Sequence, residues 1–312
     1  MIKLADLEVN KTYTIPLVVL GATARETKTG KPFLSLEMYD GTTRINGNYW
    51  DWRGSKVPEN NLILNVTAQV TEWQGAKQLT IKSLSTNTEL HITDFTPTSG
   101  VDIATVYQDA YALASSLQDN FLRALCLNVL ETYLDLWVRV PGAVAVHHAY
   151  MGGTLIHCLS VARIARAIAE QIPEANVDLA TAGGLLHDVG KLFSYDIQGL
   201  TCEMTDEGIL NEHILAGAEC VREFVDAATP QIDKEKYALL RHIILSHHGT
   251  QEHGAVVNPL LLEAHIVFHA DSTDAVYDMI KTKSTDNKWT ERIWALNNRP
   301  QLSINYTADL FD

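Results

Sequence analysis

An adjacent histidine and aspartate, His187-Asp188, stand inside the run Ala182–Lys191. A neutral imidazole nitrogen beside an anionic carboxylate oxygen is a ligand mixture that suits a hydrolytic transition-metal centre. Gly190 then lets the chain turn away. Lys191 follows Asp188 by three residues, where its ammonium can meet an anionic group of a substrate. A capped helix end with a surface aspartate is the simpler explanation of the dipeptide alone. The other histidines of the chain therefore decide between this explanation and a metal site.

The histidines of the chain are concentrated in one part of it. Of twelve, only His91 lies in the β-rich N-terminal part, and the other eleven fall between His147 and His269. A single histidine is more commonly a hydrogen-bonded core or surface residue than a metal ligand. Eleven histidines in one predicted helical domain are too many for all of them to be ordinary core or surface residues. Their clustering indicates a metal site.

The candidate ligands fall on separate predicted helices, which is the arrangement that builds a site in the core of a helical bundle. Together they form an H…HD…D set with further histidines between its members: His157, His187, Asp188, His213, His242, His247, His248 and Asp271. The intervening histidines can hold a second metal, with Asp188 as the bridge. Two such ions would clamp a phosphate oxygen and generate a hydroxide for in-line attack. Burial of Asp271 without a cation would be unfavourable, which also favours a metal.

The N-terminal residues, from about 7 to 90, read as a small β-domain. Strand-like runs alternate with strong turn signals such as Asp40-Gly41. The predicted strands are Thr12–Leu20, Phe33–Tyr39, Thr43–Trp50, Leu62–Val70 and Gln78–Ile81. Five short strands in under a hundred residues predict an OB-fold barrel, with a generic small β-domain as the alternative.

From residue 102 onward the pattern is helical. The expected fold is therefore multidomain α and β: an OB-fold in residues 1–90, a polar linker in 91–101, and an all-α bundle with a C-terminal tail in 102–312. The predicted helices are Asp102–Gln118, Asn120–Val138, Thr154–Gln171, Asp178–His187, Asp206–Ala228, Asp233–His247 and Asn258–Lys281. The helix that ends at His187 is mostly apolar, so it is expected to be buried.

Composition narrows the class of protein. The chain has 312 residues, 46% of them hydrophobic and 20% charged, which predicts packed globular domains. The N-terminus lacks the shape of a signal peptide, no apolar run reaches the length of a bilayer span, and the four cysteines are scattered. We therefore expect a cytoplasmic protein with reduced thiols and no membrane partner. A net charge of −14 argues against a non-specific binder of duplex DNA, but it permits a local basic and aromatic groove.

The set His157, His187-Asp188 and Asp271 resembles the signature of the HD-domain metal-dependent phosphohydrolases. Several flanking segments are similar to those of the YhaM-type 3′–5′ exoribonucleases within that superfamily. They are His147–Gly153, Arg241–Gly249 and His269–Asp271 with Asp274-Ala275, and in the β-domain Gly30–Leu34, Asp40–Thr42, Tyr49–Asp51 and Gln78-Leu79. The resemblance covers about residues 7 to 285. The order of an OB-fold followed by an HD domain narrows it to the exonuclease branch.

This resemblance implies metal ligands at His157, His187, Asp188 and Asp271. A second ion would use His213 and one or two of His242, His247 and His248. The sequence leaves that choice open, because residues five or six apart on a helix do not share a face, so His242 and His247 converge only if the helix end is distorted. Asp188 and Lys191 are implied as catalytic, with the lysine at the scissile phosphate. Gly153 departs from the pattern, since several two-metal members place a glutamate there, and Ile156-His157-Cys158 is a less polar flank than is common in the family.

The β-domain suits single-stranded nucleic acid, in which bases stack on exposed aromatic rings while the backbone follows positive charge. The predicted contacts are Phe33, Tyr49, Trp50, Trp52, Trp73 and Lys31, joined from the helical part by His148. Barrel core is the alternative for each aromatic. Tyr49, Trp50 and Trp52 cannot all point inwards if the strand alternates, so at least one is expected to face solvent.

The expected function is a metal-dependent 3′–5′ exonuclease. It would hydrolyse single-stranded RNA, with single-stranded DNA as the second candidate, by metal-activated hydroxide and release nucleoside 5′-monophosphates. The expected cofactor is a divalent metal, Mn²⁺ first, with Fe, Co, Mg or Ni as other candidates; a homo-oligomer is the partner considered besides nucleic acid. Three alternatives stay open: an HD hydrolase of small nucleotides, a nucleic-acid-binding or scaffold protein with a structural histidine site, and a di-iron oxygenase.

Overall fold

The computed structural model describes residues 2–54, 56–95, 100–143, 148–198, 200–227 and 233–308. The chain divides into two compact units, Met1–Pro97 with Gln198–Thr201, and Thr98–Ile197 with Cys202–Asp312. Each unit has its own hydrophobic core. Among the sequence predictions, His147, residues 96–99 of the linker and the helix end at Ala228 lie outside the described residues.

Five strands of the first unit form a closed barrel in the order β1-β2-β3-β5-β4. They are β1 (Thr12–Glu26), β2 (Pro32–Tyr39), β3 (Arg44–Tyr49), β4 (Ile63–Trp73) and β5 (Ala76–Thr86). The β3–β5 pairing is parallel and the other pairings are antiparallel. A small five-stranded barrel with this Greek-key order has the features of an OB-fold, so the predicted class of the N-terminal part is confirmed.

Side-chain alternation fills the barrel, because successive residues of a strand point to opposite faces. In β2, Leu34, Leu36 and Met38 are buried, and the residues between them are half-buried. Gly47 on β3 lies opposite this set, and a Cβ at that position would come within 2.7 Å of the Met38 side chain. The barrel interior is therefore packed with apolar side chains.

One buried carboxylate closes the turn that follows β2. Oδ2 of Asp40 accepts the Leu4 backbone N–H at 2.6 Å, and Oδ1 accepts the backbone N–H groups of Thr42 and Thr43 at 2.8 and 2.7 Å. Burial alone would raise the pKa of Asp40, but these donors favour the charged form and outweigh it, so the pKa lies below its ordinary 3.8. The carboxylate thus ties the N-terminal residues to the barrel.

Replacement of Asp40 with alanine is expected to destabilise the barrel by roughly 2 kcal/mol, because several donors lose a charged acceptor. Because folding lowers the pKa of Asp40, its contribution is present above the unfolded value and is lost as the pH falls through the folded one. Urea unfolding of the full chain should therefore show a difference between wild type and Asp40→Ala at pH 7 that shrinks in acid. The exposed Asp51→Ala control should stay close to wild type at both pH values; equal stability of the two variants would contradict the assignment.

The second unit is a helical bundle, as predicted. Its helices are α1 (Ile103–Ser115), α2 (Asn120–Thr132), α3 (Leu134–Trp137), α4 (Gly153–Ala169), α5 (Val177–Leu186), α6 (Lys191–Ser194), α7 (Asp206–Ala227), α8 (Lys234–Ser246), α9 (Leu262–Lys283) and α10 (Ile304–Ala308). Among the described residues, no helix has both the length and the apolar character needed to cross a bilayer.

Helix α5 is the buried centre of this bundle, as its apolar sequence predicted. Every residue from Leu179 to Leu186 is buried. Gly184 lets α5 approach α4 closely, because a Cβ there would come within 2.7 Å of the Ala162 backbone. The contact places the end of α5 alongside α4, whose second turn carries the first candidate ligand, His157.

Several helix boundaries differ from the prediction. Helix α9 begins at Leu262 and not at Asn258-Pro259, because Leu261 has an extended backbone with φ −128° and ψ 157°. The Leu260 backbone N–H, which precedes it, donates to the His242 ring at 2.9 Å. Helix α7 is broken at Glu212, whose φ of 60° and ψ of 160° are not helical. The helix predicted to continue to Val138 divides into α2 and α3 at Tyr133.

Two short hairpins depart from the expected all-α character. Strands β6 (Tyr195–Gln198) and β7 (Thr201–Met204) pair between α6 and α7, and strands β8 (Trp289–Ile293) and β9 (Arg299–Leu302) pair after α9. Strands of four or five residues are too short to show a clear alternation of polar and apolar residues, so the sequence did not reveal them.

Candidate metal centre

Three helices bring the H…HD…D residues together. His157 lies in the second turn of α4, His187 and Asp188 directly follow α5, and Asp271 lies on α9. The two histidines and Asp188 are buried, while Asp271 is partly exposed at 16% of its side-chain surface. The site is therefore open on the side of Asp271.

The ligand atoms of this first group converge on one point. His157 Nε2 lies 3.2 Å from His187 Nε2 and 3.1 Å from Asp271 Oδ1. Asp188 Oδ2 lies 3.4 Å from both imidazole Nε2 atoms. Ligands about 2.1 Å from a shared ion stand roughly 3.0–3.5 Å apart, so the spacing fits a divalent metal.

A second group faces the other oxygen of the same carboxylate. His213 Nε2 and His247 Nε2 lie 3.3 and 3.5 Å from Asp188 Oδ1, and His248 completes the cluster. All four ligand atoms (Asp188 Oδ1, His213 Nε2, His247 Nε2 and His248 Nδ1) are buried without a hydrogen-bond partner among the described residues. Buried polar atoms are rarely left unpaired, and nitrogen and carboxylate donors that converge in this way fit a second divalent ion.

The protonation of the imidazoles also fits metal binding. Nδ1 of His187 donates to the Gly184 carbonyl and Nδ1 of His247 to the Ile244 carbonyl, each at 2.8 Å, because a carbonyl can only accept. A neutral ring whose proton is held at Nδ1 has a free lone pair on Nε2. Burial, reinforced by the neighbouring His247 and His213 imidazoles, lowers the pKa of His248 to about 3. These rings therefore present lone pairs and not protons to the centre.

Sequence reasoning did not assign a role to Asp274, which orients His157 from behind. Asp274 Oδ2 lies 2.7 Å from His157 Nδ1, and the carboxylate also accepts a hydrogen bond from Ser160. This contact leaves His157 Nε2 to face the first group, in the carboxylate–histidine–metal arrangement common in metalloproteins. The spacing could have predicted this role, because Asp274 follows Asp271 by three residues and so lies on nearly the same helix face.

His148 belongs to the same buried network and not to a nucleic-acid surface, where the sequence placed it. It is 3% exposed, and its Nε2 lies 2.7 Å from Asp274 Oδ2. Its backbone adopts a left-handed φ of 48°, and its backbone N–H donates to Asp278 at 2.6 Å. Gly153 lies against this loop, and a Cβ there would come 1.9 Å from the His148 carbonyl oxygen. That close approach explains why this chain has no glutamate at position 153.

Lys191 forms a buried ion pair with Asp188, with Nζ 2.6 Å from Oδ2. Burial alone would raise the pKa of Asp188, but the Lys191 charge and the surrounding imidazoles outweigh it and hold the pKa well below its ordinary value. Gly190 packs against the chain at His213, because a Cβ on Gly190 would lie 1.8 Å from the His213 carbonyl oxygen. This close approach brings the second group up to Asp188.

His242 is not brought to the centre. Helix α8 ends undistorted at Ser246, so His247 and His248 converge while His242 lies on another face. There its Nε2 accepts the Leu260 backbone N–H. The alternative that the sequence left open is thus narrowed, in the described geometry, to His247 and His248.

A cavity of about 260 Å³ opens beside the two groups. Asp188, Lys191, His248 and Asp271 form its inner wall, and the remaining lining residues are His253, Phe268, Ser272 and Ala275. Sequence reasoning missed this outer set, because nothing in the residue types distinguishes it from ordinary helix surface. The cavity places one lysine, one aromatic ring and the candidate ligands around a common space.

The barrel residues predicted to bind nucleic acid divide into two sets. Trp50 and Trp73 are exposed at 41% and 65%, and the Phe33 ring lies 4.5 Å from that of Trp50. Tyr49 is half-buried, and Lys31 is exposed, 3.4 Å from Asp51. Trp52 packs into the barrel core instead, because β3 ends at Tyr49 and the chain turns inwards after it.

Comparison with known proteins agrees with this geometry. The family model described as "HD domain" matches residues 154–276. Proteins named 3′-5′ exoribonuclease YhaM from Listeria welshimeri and Listeria monocytogenes are each 29% identical over 306 residues, which is 95% of this chain and 96% of theirs. The corresponding protein of Listeria innocua is 28% identical over the same length.

Two solved structures are similar to less than a third of the chain. A domain of replication protein A from Methanococcus maripaludis is similar at a TM-score of 0.25 and 24% identity, covering 27% of this chain and 92% of that one. The second OB-fold domain of the same protein, solved by NMR, has a TM-score of 0.24 and 19% identity, with coverages of 29% and 97%. The chain therefore has a small five-stranded barrel followed by a helical unit in which residues 154–276 match the HD-domain family model, and it is similar over nearly its whole length to the proteins named YhaM.

Proposed function

We propose that this chain is a metal-dependent 3′–5′ exoribonuclease that acts on single-stranded RNA. The observation that carries the proposal is the position of Asp188. Its two oxygens face two separate groups of ligand atoms, so one carboxylate can bridge two divalent ions. Sites of this type are used for phosphodiester hydrolysis. The name shared by relatives that match 95% of the chain supports the polymer substrate and the direction.

The residues that would hold the ions are His157, His187, Asp188 and Asp271 for the first, and His213, His247 and His248 with Asp188 for the second. We propose Mn²⁺ as the working metal, with Fe, Co, Mg and Ni as the other candidates. When bound, divalent ions supply Lewis acidity, an activated water and positive charge for a phosphodiester. The structure's own contribution is a set of imidazoles whose lone pairs already face the centre.

Lys191 supplies the fixed positive charge of the cavity. Its ammonium is held by Asp188 at the inner wall, where a phosphate that enters the cavity would meet it. A cation fixed in place before the reaction stabilises the developing negative charge without reorganisation. We assign Lys191 to that role and nucleoside 5′-monophosphates to the product.

We assign the barrel to binding of the single strand. Trp50, with Phe33 beside it, and Trp73 offer exposed rings for stacking. Base stacking on an aromatic ring is worth about 1–3 kcal/mol, so Trp50→Ala with Trp73→Ala is expected to weaken RNA binding by at least about tenfold. Fluorescence anisotropy with a labelled RNA measures this. The pair Trp50→Phe and Trp73→Phe should bind nearly as well as wild type, and equal loss in both pairs would argue against stacking.

The test of the function uses single-stranded RNA labelled at its 5′ end, incubated with Mn²⁺ or with EDTA. The expected result is a ladder of 3′-shortened products with Mn²⁺ and intact RNA with EDTA. His242→Gln is the matched control, because glutamine still accepts the Leu260 N–H and His242 lies outside both groups; it should give the same ladder. Intact RNA together with turnover of free nucleotides would overturn the polymer substrate in favour of small nucleotides.

A further inference from the structure

The segment formed by the end of α9 and the β8–β9 hairpin is locally basic in an acidic chain. Residues 279–302 contain five lysines or arginines and two acidic residues, a net charge of +3, whereas the whole chain carries −14. All five cations are exposed: Lys281, Lys283, Lys288, Arg292 and Arg299. In the described part of the chain, the one carboxylate within 4 Å of any of them is Glu291, 3.8 Å from Lys283. Most of this positive charge is therefore free to meet an anionic partner.

Two exposed indoles lie among these cations. Trp289 is 55% exposed and Trp294 is 80% exposed, while Trp137, the other tryptophan of the second unit, is fully buried. Ile293 between them is buried and Leu296 is half-buried. The large exposed apolar side chains of the hairpin are thus aromatic rings and not aliphatic groups, unlike the apolar centre of a protein interface.

The hairpin holds these rings on a fixed support. Ser303 Oγ donates to the Thr285 carbonyl at 2.7 Å, and the Ser303 N–H donates to the Lys288 carbonyl at 3.0 Å. These two hydrogen bonds close the base of the hairpin. At the tip, Asn297 and Asn298 both have left-handed φ angles, and the Asn298 N–H donates to the Trp294 carbonyl at 3.2 Å. Asparagine tolerates this conformation better than most residues, so the turn is built to present Trp294 outwards.

The surface continues the helix that supplies part of the metal centre. Lys281 follows Asp271 on α9 by ten residues, which corresponds to roughly 15 Å along the helix axis. Two lysine ammoniums there lie over aromatic rings, Lys281 over Tyr277 at 5.6 Å and Lys288 over Tyr306 at 5.1 Å. Exposed rings interleaved with cations are the combination that binds single strands through stacking and backbone charge.

We propose that this C-terminal hairpin surface, formed by Lys288, Trp289, Arg292 and Trp294, is a second binding site for single-stranded nucleic acid, located in the second unit and additional to the one proposed for the barrel. Bases stack on the two indoles, and phosphates meet Arg292, which shares a face with Trp289 in the strand register, and Lys288. The proposal rests on the proposed function only for the choice of RNA as the partner.

The test measures binding without turnover. The full chain in EDTA is titrated into a 5′-fluorescein RNA of about 15 nucleotides, and anisotropy is followed over a series of salt concentrations. Trp294→Ala is expected to weaken binding about tenfold, and Trp294→Phe should largely restore it. Lys288→Gln with Arg292→Gln should reduce the slope of log affinity against log salt by about 0.7 for each phosphate that the variant no longer neutralises. Lys234→Gln, an exposed lysine at the start of α8, is the control and should leave both quantities unchanged.

Two outcomes would overturn the proposal. One is an affinity and a salt slope that none of the hairpin variants changes. The other is a wild-type oligomer, seen by light scattering, that Trp294→Ala dissociates while RNA affinity stays the same; the surface would then bind a second copy of the chain. Hydrolysis of an RNA dinucleotide with Mn²⁺ is measured in parallel and should be equal in all variants. If the wild-type protein does not hydrolyse the dinucleotide, the proposed function is contradicted. The anisotropy data still test the binding site, because they are measured without turnover.

Discussion

Asp188→Asn is expected to lower the rate of RNA hydrolysis by at least about 10³-fold. The substitution preserves volume but removes the charge that faces both groups of ligands, with oxygens 3.3–3.5 Å from the imidazoles of His213, His157 and His247. We expect the metal content of the purified protein to fall with it. Mass spectrometry of bound metal and the ladder assay measure the two effects. Asp109→Asn makes the same change at an exposed ion pair of the same unit and should leave both unchanged.

The same substitution should also destabilise the second unit, because it leaves the buried Lys191 ammonium without its partner. Loss of one member of a buried ion pair costs roughly 3–5 kcal/mol. Asp188→Asn with Lys191→Met removes both charges and should recover much of the stability in denaturant unfolding, while hydrolysis stays lost. If the double variant regained activity, or if Asp188→Asn kept its metal and its turnover, the bridging role of Asp188 would be wrong.

The sequence predicted most of the architecture because the decisive signals are local. Turn residues and alternation marked the barrel strands, and the apolar run from Leu179 to Leu186 marked α5 as buried. Hairpin β8–β9 was missed because its strands are short. Helix α9 was predicted to begin too early, since Pro259 follows an ordinary capping residue, whereas Leu261 is extended and the helix starts only at Leu262. The tertiary contact of this extended segment, from the Leu260 N–H to His242, is not visible in the local sequence.

The residue types of the candidate site could be predicted from the sequence, but some of the individual residues could not. His157, His187, Asp188 and Asp271 converge as the resemblance implied, because each lies where its helix faces the bundle core. The choice among His242, His247 and His248 depended on where α8 ends, which residue spacing does not determine. Trp52 and His148 could be located only from tertiary packing, the first by the turn after β3 and the second by a left-handed loop.

Asp274 provides a prediction that separates positioning of a ligand from ligation itself. Its Oδ2 accepts from the ring N–H groups of His148 and His157, and its other oxygen accepts from Ser160. Burial alone would raise the pKa of Asp274, but these donors outweigh it and hold the pKa well below its ordinary value, so the group is a carboxylate. A carboxylate at Nδ1 keeps the proton there and makes Nε2 of His157 more basic.

Asp274→Asn keeps an acceptor for His157 and can donate its amide to Ser160, so the shape of the network survives while the charge is lost. We expect metal affinity to fall by about 10- to 100-fold, as for other changes of a ligand's hydrogen-bond partner. Calorimetric titration with Mn²⁺ measures this directly. Excess Mn²⁺ should restore most of the hydrolysis, since all ligand atoms remain, whereas Asp188→Asn should not respond. Unchanged affinity in Asp274→Asn, or activity that saturating metal fails to recover, would show that Asp274 acts in some way other than through His157.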